Sequence, residues 1–236
     1  MNLFVIGGGK GSRLKQEGVV FPKPLVEIEG QSLLERVLEV TKNNKFDKIK
    51  ILLNPELLAF KDRVSRIIDN IDSEVIVVYK TTQSSFHSFY ELSKISSPES
   101  FILMTIDSVF KQEEFDEFYR CICSYDKYYS VIAITEFVRD EKPLWVETDN
   151  ELNILAFKDT KTNEKLITGG IYYFNYQVFD FMEAAYNNRV IRLRNLLRFL
   201  LTNKVKMKGF IFSKIIDVDH IEDIELAREF LKTNFR

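Results

Sequence analysis

Cysteine occurs only twice among the 236 residues, at Cys121 and Cys123. Two residues apart in a helical pattern, the two thiols face different ways, so no internal disulfide is expected and the thiols suit a reducing compartment. Histidine is equally scarce, with His87 and His220 too far apart in sequence to suggest a zinc site. Any metal is therefore expected to be a hard ion held by carboxylates. No run approaches the ~18 apolar residues of a membrane helix, and the first residues lack a signal-peptide pattern. A formal charge of −2 gives no global attraction to nucleic acid or to an anionic membrane. These absences lead us to expect a cytoplasmic protein with small-molecule partners, no nucleic acid and no membrane. Internal repeats, low-complexity segments and linkers are also missing.

What is present is an ordinary globular composition, 45% hydrophobic and 29% charged. The length suits one elaborated domain, with residues 1–140 expected to bind a nucleotide and residues 141–236 to bind an acceptor. Apolar runs at Leu3–Ile6, Ile49–Leu53, Glu74–Tyr79, Phe101–Ile106 and Tyr129–Thr135 alternate with helical patterns. Continuous apolar strands alternating with helices predict an α/β fold, a mostly parallel central sheet covered on both faces. A further strand is expected over Leu25–Ile28, and Pro55 should open a helix reaching about Ile71. Ser32-Leu33-Leu34-Glu35 has the spacing of a capping box. Between Pro143 and Phe174 the runs shorten and alternate, with turns at Asp149-Asn150 and near Thr162-Asn163, which predicts a small antiparallel insertion beside the main sheet. Leu193, Leu196, Leu197, Leu200 and Leu201 follow helical spacing, as do Ile224, Ala227, Phe230 and Leu231. The arginines at 189, 192, 194 and 198 interleave with the first set and read as a solvated helix face.

Glycine is scarce too, yet four of the nine glycines fall between positions 7 and 11. Gly7-Gly8-Gly9-Lys10-Gly11-Ser12 follows directly on the first strand, and such a turn can aim several backbone N–H groups at one anion. Arg13 adds a cationic fork suited to phosphate oxygens. Lys23, held between Pro22 and Pro24, adds a charge on stiff backbone. Together they suggest a polyphosphate site. The pattern is not Walker A, because Gly11 follows Lys10 where Ser or Thr is needed. It is not the dinucleotide fingerprint either, because Leu14 stands where a glycine is expected and the second strand ends in Asn54-Pro55 without an acid. That weighs against a nicotinamide oxidoreductase.

Two carboxylates complete the reading. Asp107 ends an apolar strand, where ligands of open α/β sheets bind. Asp217 lies within the apolar segment Ile215-Ile216-Asp217-Val218-Asp219 and needs a partner there. Mg²⁺ would join the two acids, since it accepts one or two carboxylates together with substrate phosphates. Asp219 either shares that ion or, like His220, caps the helix that follows.

The glycine loop with Ser12-Arg13-Leu14, then Pro22-Lys23-Pro24-Leu25, resembles the opening signature of the sugar-1-phosphate nucleotidylyltransferases. The resemblance continues to about residue 230. Asp107 matches the family's metal-binding aspartate at the end of a central strand. Ile215–Asp223 is similar in frame to the family's late segment, with Asp217 on the second metal position. Thr168-Gly169-Gly170-Ile171-Tyr172-Tyr173-Phe174 looks like the strand that lines the sugar pocket. The resemblance implies nucleotidyl transfer from an NTP to a sugar 1-phosphate, giving an NDP-sugar and pyrophosphate. It implies catalytic roles for Arg13 and Lys23, nucleotide contacts from the loop and from Gln83 and Ser85, and Mg²⁺ on Asp107 and Asp217. Lys158, Gly170, Trp145 and Tyr172 would meet the acceptor, and a homo-oligomer is possible. No C-terminal β-helix or acyltransferase segment is expected. The chain departs from the family at Phe157-Lys158-Asp159-Thr160, where Glu-Lys-Pro is usual, and at Thr82–Phe86, where a Gly-Thr pair is usual. Two alternatives follow: a cytidylyltransferase holding phosphocholine in an aromatic cage of Trp145, Tyr172 and Tyr173, and a non-catalytic nucleotide sensor.

Overall fold

The computed structural model describes residues 1–124 and 128–232. Strand β1 (Asn2–Gly7) runs into the glycine loop and a five-residue helix α1 (Ser12–Gln16). A short hairpin, β2 (Glu27–Ile28) and β3 (Gln31–Ser32), leads to α2 (Leu33–Glu39). The strand expected over Leu25–Ile28 is thus only two residues long. Pro22 and Pro24 force a 3-10 turn over Lys23–Leu25 instead.

Next come β4 (Lys48–Leu53), α3 (Lys61–Ile68), β5 (Glu74–Tyr79), α4 (Ser85–Lys94) and β6 (Phe101–Thr105). The helix expected from Pro55 begins as a separate 3-10 segment, Pro55–Phe60. A two-residue strand β7 (Ser108–Val109) precedes α5 (Gln112–Ser124) and β8 (Tyr129–Thr135). Then follow β9 (Trp145–Thr148), β10 (Ile154–Lys158), β11 (Leu166–Phe174), α6 (Val178–Asn187), α7 (Leu193–Thr202) and β12 (Lys206–Phe212). The last elements are β13 (Ile216–Asp217) and α8 (Ile221–Lys232).

The main sheet has the order β10-β9-β11-β6-β1-β4-β5, with β8 and β12 joined through β11. Strands β6, β1, β4 and β5 are mutually parallel, and β11 pairs antiparallel with β6. The antiparallel segment predicted between 143 and 174 therefore extends the parallel sheet edge to edge. Strand alternation divides the core between two faces. Phe4 and Ile6 point to one face, packed by α4, α6 and α7; Leu3 and Val5 point to the other, packed by α2, α3 and α5. A third apolar cluster, including Leu14, Ile28, Val109, Ile216, Val218 and Ile224, ties the helix after the glycine loop to the segments carrying β7, β13 and α8. This cluster brings α1 and α8, far apart in sequence, together.

The capping box forms. The Ser32 hydroxyl accepts from Glu35 N at 3.3 Å, and Glu35 Oε2 accepts from Ser32 N at 2.7 Å. Ser32→Ala is expected to remove about 1 kcal/mol of stability. A urea titration should show a lower midpoint with an unchanged slope.

Candidate active site

The site lies at the carboxyl ends of β1 and β6, where an open sheet leaves room for a ligand. Gly11 has φ +57°, and a Cβ there would sit 3.0 Å from the Lys23 Cβ. Only glycine lets the loop lie this close to Lys23. A Cβ on Gly9 would meet nothing within 4 Å, so this part of the loop faces open space.

The Lys23 ammonium is buried, its side chain 8% exposed, and it donates 2.6 Å bonds to Asp107 Oδ2 and Asp219 Oδ1. Burial alone would depress the lysine pKa, but the two carboxylates outweigh it and hold the group above its ordinary value. Arg13 Nη1 donates to the other oxygen of Asp219 at 2.6 Å, and Arg13 also lies 3.4 Å from Glu141. One carboxylate, Asp219, thus holds both cations that face the glycine loop.

Asp217 reaches the same place through a pairing of two short strands. In this pair Asp217 lies opposite Ser108, and Val218 N donates to Asp107 O at 3.1 Å. Ser108 Oγ donates to Asp217 Oδ1 at 3.1 Å and lies 2.8 Å from Thr105 Oγ1. Gly170 (φ +76°) closes over these hydroxyls, since a Cβ there would fall 2.1 Å from Ser108 Oγ. Burial, then the charges of Asp107 and Asp140, push the Asp217 carboxyl up to about 7. Asp107, although burial works against it, is held below the ordinary range by Lys23.

Among the described residues Asp217 makes no ion pair, unlike Asp107 and Asp219. The local donors are hard oxygens: two carboxylates backed by the hydroxyls of Thr105 and Ser108. Among the described residues no three Asp, Glu, His or Cys side chains gather into a complete cage. Two carboxylates completed by substrate phosphates and water are the regime of Mg²⁺, so the residues fit that ion.

A cavity of about 700 Å³ opens over this arrangement. Gly7, Gly8, Gly9, Lys10, Gly11, Ser12, Arg13, Lys23, Gln83, Ser85 and Asp107 all line it, so every residue expected to meet the nucleotide faces one space. A smaller cavity of about 290 Å³ shares Ser85, Thr105, Asp107 and Asp219 with it, and is lined by Asp217, Gly170 and Tyr172.

The other two acceptor candidates, Lys158 and Trp145, lie outside both cavities. Lys158 is held by Glu147 at 2.7 Å and Glu164 at 2.5 Å, and it lines neither cavity. Trp145 is buried elsewhere, with the Lys161 ammonium over its ring at 4.9 Å. Tyr172 and Tyr173 are consecutive in β11 and pack into opposite faces of the sheet. The three aromatic rings therefore form no cage. Neither Asp219 nor His220 caps α8 with its side chain. Asp223 Oδ2 instead accepts from both their backbone N–H groups, and Glu17 Oε2 accepts from Ile221 N at 2.7 Å. Sequence reasoning left the role of Asp219 open and missed Thr105, Ser108, Asp140, Arg192 and Arg194. The alternation of acids at 217 and 219 was the one available signal.

The profile of the nucleotidyl transferase family matches residues 3–233. The chain belongs to the nucleotidyl transferase family. This nucleotidyl transferase is similar to the bifunctional protein GlmU of Methanocaldococcus jannaschii, with 24% identity over 190 residues, 78% of this chain and 42% of the relative. Bifunctional protein GlmU of Methanococcus aeolicus is 25% identical over 188 residues, again 78% of this chain and 42% of the relative. The chain thus spans less than half the length of these curated relatives. In fold it is similar to the inositol-1-phosphate CTP transferase from T. maritima, with a TM-score of 0.80, 17% identity, and coverage of 100% of this chain and 98% of that one. It is also similar to a UDP-glucose pyrophosphorylase complexed with UDP-glucose, with a TM-score of 0.76, 16% identity, and coverage of 98% and 97%.

The raised Asp217 carboxyl has a pH signature. The folded transferase keeps a proton that the unfolded chain releases between about pH 4 and about pH 7, so this group's contribution to stability is lost as pH rises through that window. Without divalent cations, the wild type should lose more thermal stability than Asp217→Asn between about pH 5 and about pH 8. Parallel melting-temperature profiles for the two proteins would contradict this assignment.

Proposed function

We propose that this transferase moves a nucleoside monophosphate from an NTP to a sugar 1-phosphate, giving an NDP-sugar and pyrophosphate. The observation that carries this reading is the convergence of the glycine loop, Arg13, Lys23, Asp107 and Asp217 on two joined cavities. In the reaction an oxygen of the acceptor phosphate forms a bond to the α-phosphorus. The bond from that phosphorus to the bridging oxygen breaks, and pyrophosphate leaves with the electron pair. The attacking phosphate is already ionised near neutral pH, so no general base is required. Catalysis reduces to alignment and charge stabilisation.

The loop N–H groups and Arg13 bind the β- and γ-phosphates. Lys23 exchanges a carboxylate for the α-phosphate and stabilises the charge that grows there. Asp107 and Asp217 would hold Mg²⁺, which supplies charge neutralisation between the two reactants. Gln83 and Ser85 border the nucleotide cavity, on the side suited to the base. The acids and both cations are all present, which supports a catalyst over a nucleotide sensor. No helix among the described residues is long and apolar enough to cross a membrane, and we place the enzyme in the cytoplasm with its NTP substrate. NDP-sugars are glycosyl donors, consistent with a role in surface polysaccharide synthesis.

Pyrophosphate release should be measured with each NTP, glucose 1-phosphate and Mg²⁺. Arg13→Ala and Lys23→Ala are each expected to reduce turnover by about 10²–10³-fold, the usual effect of removing one preorganised charge-stabilising donor. Asp107→Asn and chelation of the metal should do the same. Unchanged turnover in the folded variants would refute the assignment.

A further inference from the structure

The smaller cavity is short of free positive charge. It is lined by Asp107, Asp140, Asp217 and Asp219, and the Lys23 ammonium is already shared by Asp107 and Asp219. A phosphate monoester entering this space meets a mostly acidic wall. Where Lys158 was expected to supply the balancing cation, that side chain is committed to Glu147 and Glu164 outside the cavity.

The balance comes from the start of α7. Arg198 Nη2 lies 2.8 Å from Asp159 Oδ1, and its Nε donates to Phe157 O at 3.1 Å. Arg194 reaches the same Asp159 oxygen at 3.2 Å and donates to Lys142 O at 2.7 Å, so its charge is largely matched although it lines the cavity. Arg192 differs from both. It lines the cavity, and its guanidinium has no hydrogen bond or ion pair among the described residues. Its backbone is anchored on each side: Leu193 N donates to Ser85 Oγ at 3.1 Å, and Arg192 O accepts from Asn195 and Leu196. A free planar fork on fixed backbone, facing the space beside Asp107 and Asp217, is suited to bidentate contact with a phosphate.

We propose that Arg192 binds the phosphate of the acceptor and sets the specificity of this cavity for small phosphorylated polyols or monosaccharides. At about 290 Å³ the space falls at the lower end of ligand pockets. The inference rests on the transferase reading above and adds a residue that the sequence pattern assigned to a solvated helix face.

The test uses the full chain with Mg²⁺, the NTP that is turned over, and glucose 1-phosphate. Arg192→Ala is expected to raise the acceptor KM by about tenfold or more, the equivalent of one lost charge-assisted contact, while the NTP KM stays within about twofold. Arg192→Lys should recover part of the loss, because it restores charge without the fork. A merely structural role would move both KM values together. An unchanged acceptor KM in Arg192→Ala, or a rise in Lys158→Ala alone, overturns the proposal. Calorimetric titration of glucose 1-phosphate into the same proteins separates this inference from the transferase reading. If no NTP is consumed but the wild type binds the ligand and folded Arg192→Ala does not, the reading fails and Arg192 stands. Equal binding by both proteins, or none by either, overturns the role of Arg192.

Discussion

The buried ammonium of Lys23, shared between Asp107 and Asp219, is the interaction on which the site depends. It joins residues 196 positions apart in sequence. A lysine buried to this depth would lose its proton without partners, and the two carboxylates keep it charged. Each acid in turn tolerates its position because the lysine is there. Removing the lysine would leave Asp107 without its cation, and removing both acids would leave the ammonium buried and unpaired.

The surrounding fold serves to bring those three residues together. Parallel pairing of β1 with β6 ends the glycine loop and Asp107 at the same edge. The antiparallel pairing of β7 with β13 then carries Asp217 alongside, and the apolar cluster beneath α8 holds that pairing against α1. Gly11 and Gly170 are two of the positions where backbone approaches a neighbour too closely for a side chain. The cations and acids of the site therefore share one space without separate scaffolds.

Charge is distributed unevenly over the two joined cavities. Arg13 and Lys23 are paired with acids, which holds both cations in place. Asp217 has no such cation and is driven toward its protonated form by burial and by Asp107. A hard divalent ion would resolve this imbalance more completely than a proton does, because it would neutralise both acids together. Among the described residues, the smaller cavity has one guanidinium without a partner, that of Arg192, and its other charged side chains are matched or acidic.

Local chemistry made much of this legible in the sequence. The glycine loop, the prolines around Lys23, the capping box at Ser32 and the apolar periods of the strands each report a backbone requirement met by neighbours in the chain. Asp107 was readable because it ends an apolar strand, where ligands of open sheets bind, and Asp217 because a carboxylate in an apolar segment is costly without a partner. Side-chain partnerships across the fold left no such trace. Lys158 resembled a ligand contact until Glu147 and Glu164 closed around it, and Tyr172 and Tyr173 were a pair in sequence that the pleat sent to opposite faces. Arg192 and Asp219 acquired their places only when α7 packed on α4 and β10 and the 215–219 segment paired with β7. The sequence determined the parallel sheet and its phosphate-loop geometry, because these follow from periodicity and backbone freedom. The tertiary structure alone decided which charges meet, because electrostatic pairing depends on distance in space and not on separation along the chain.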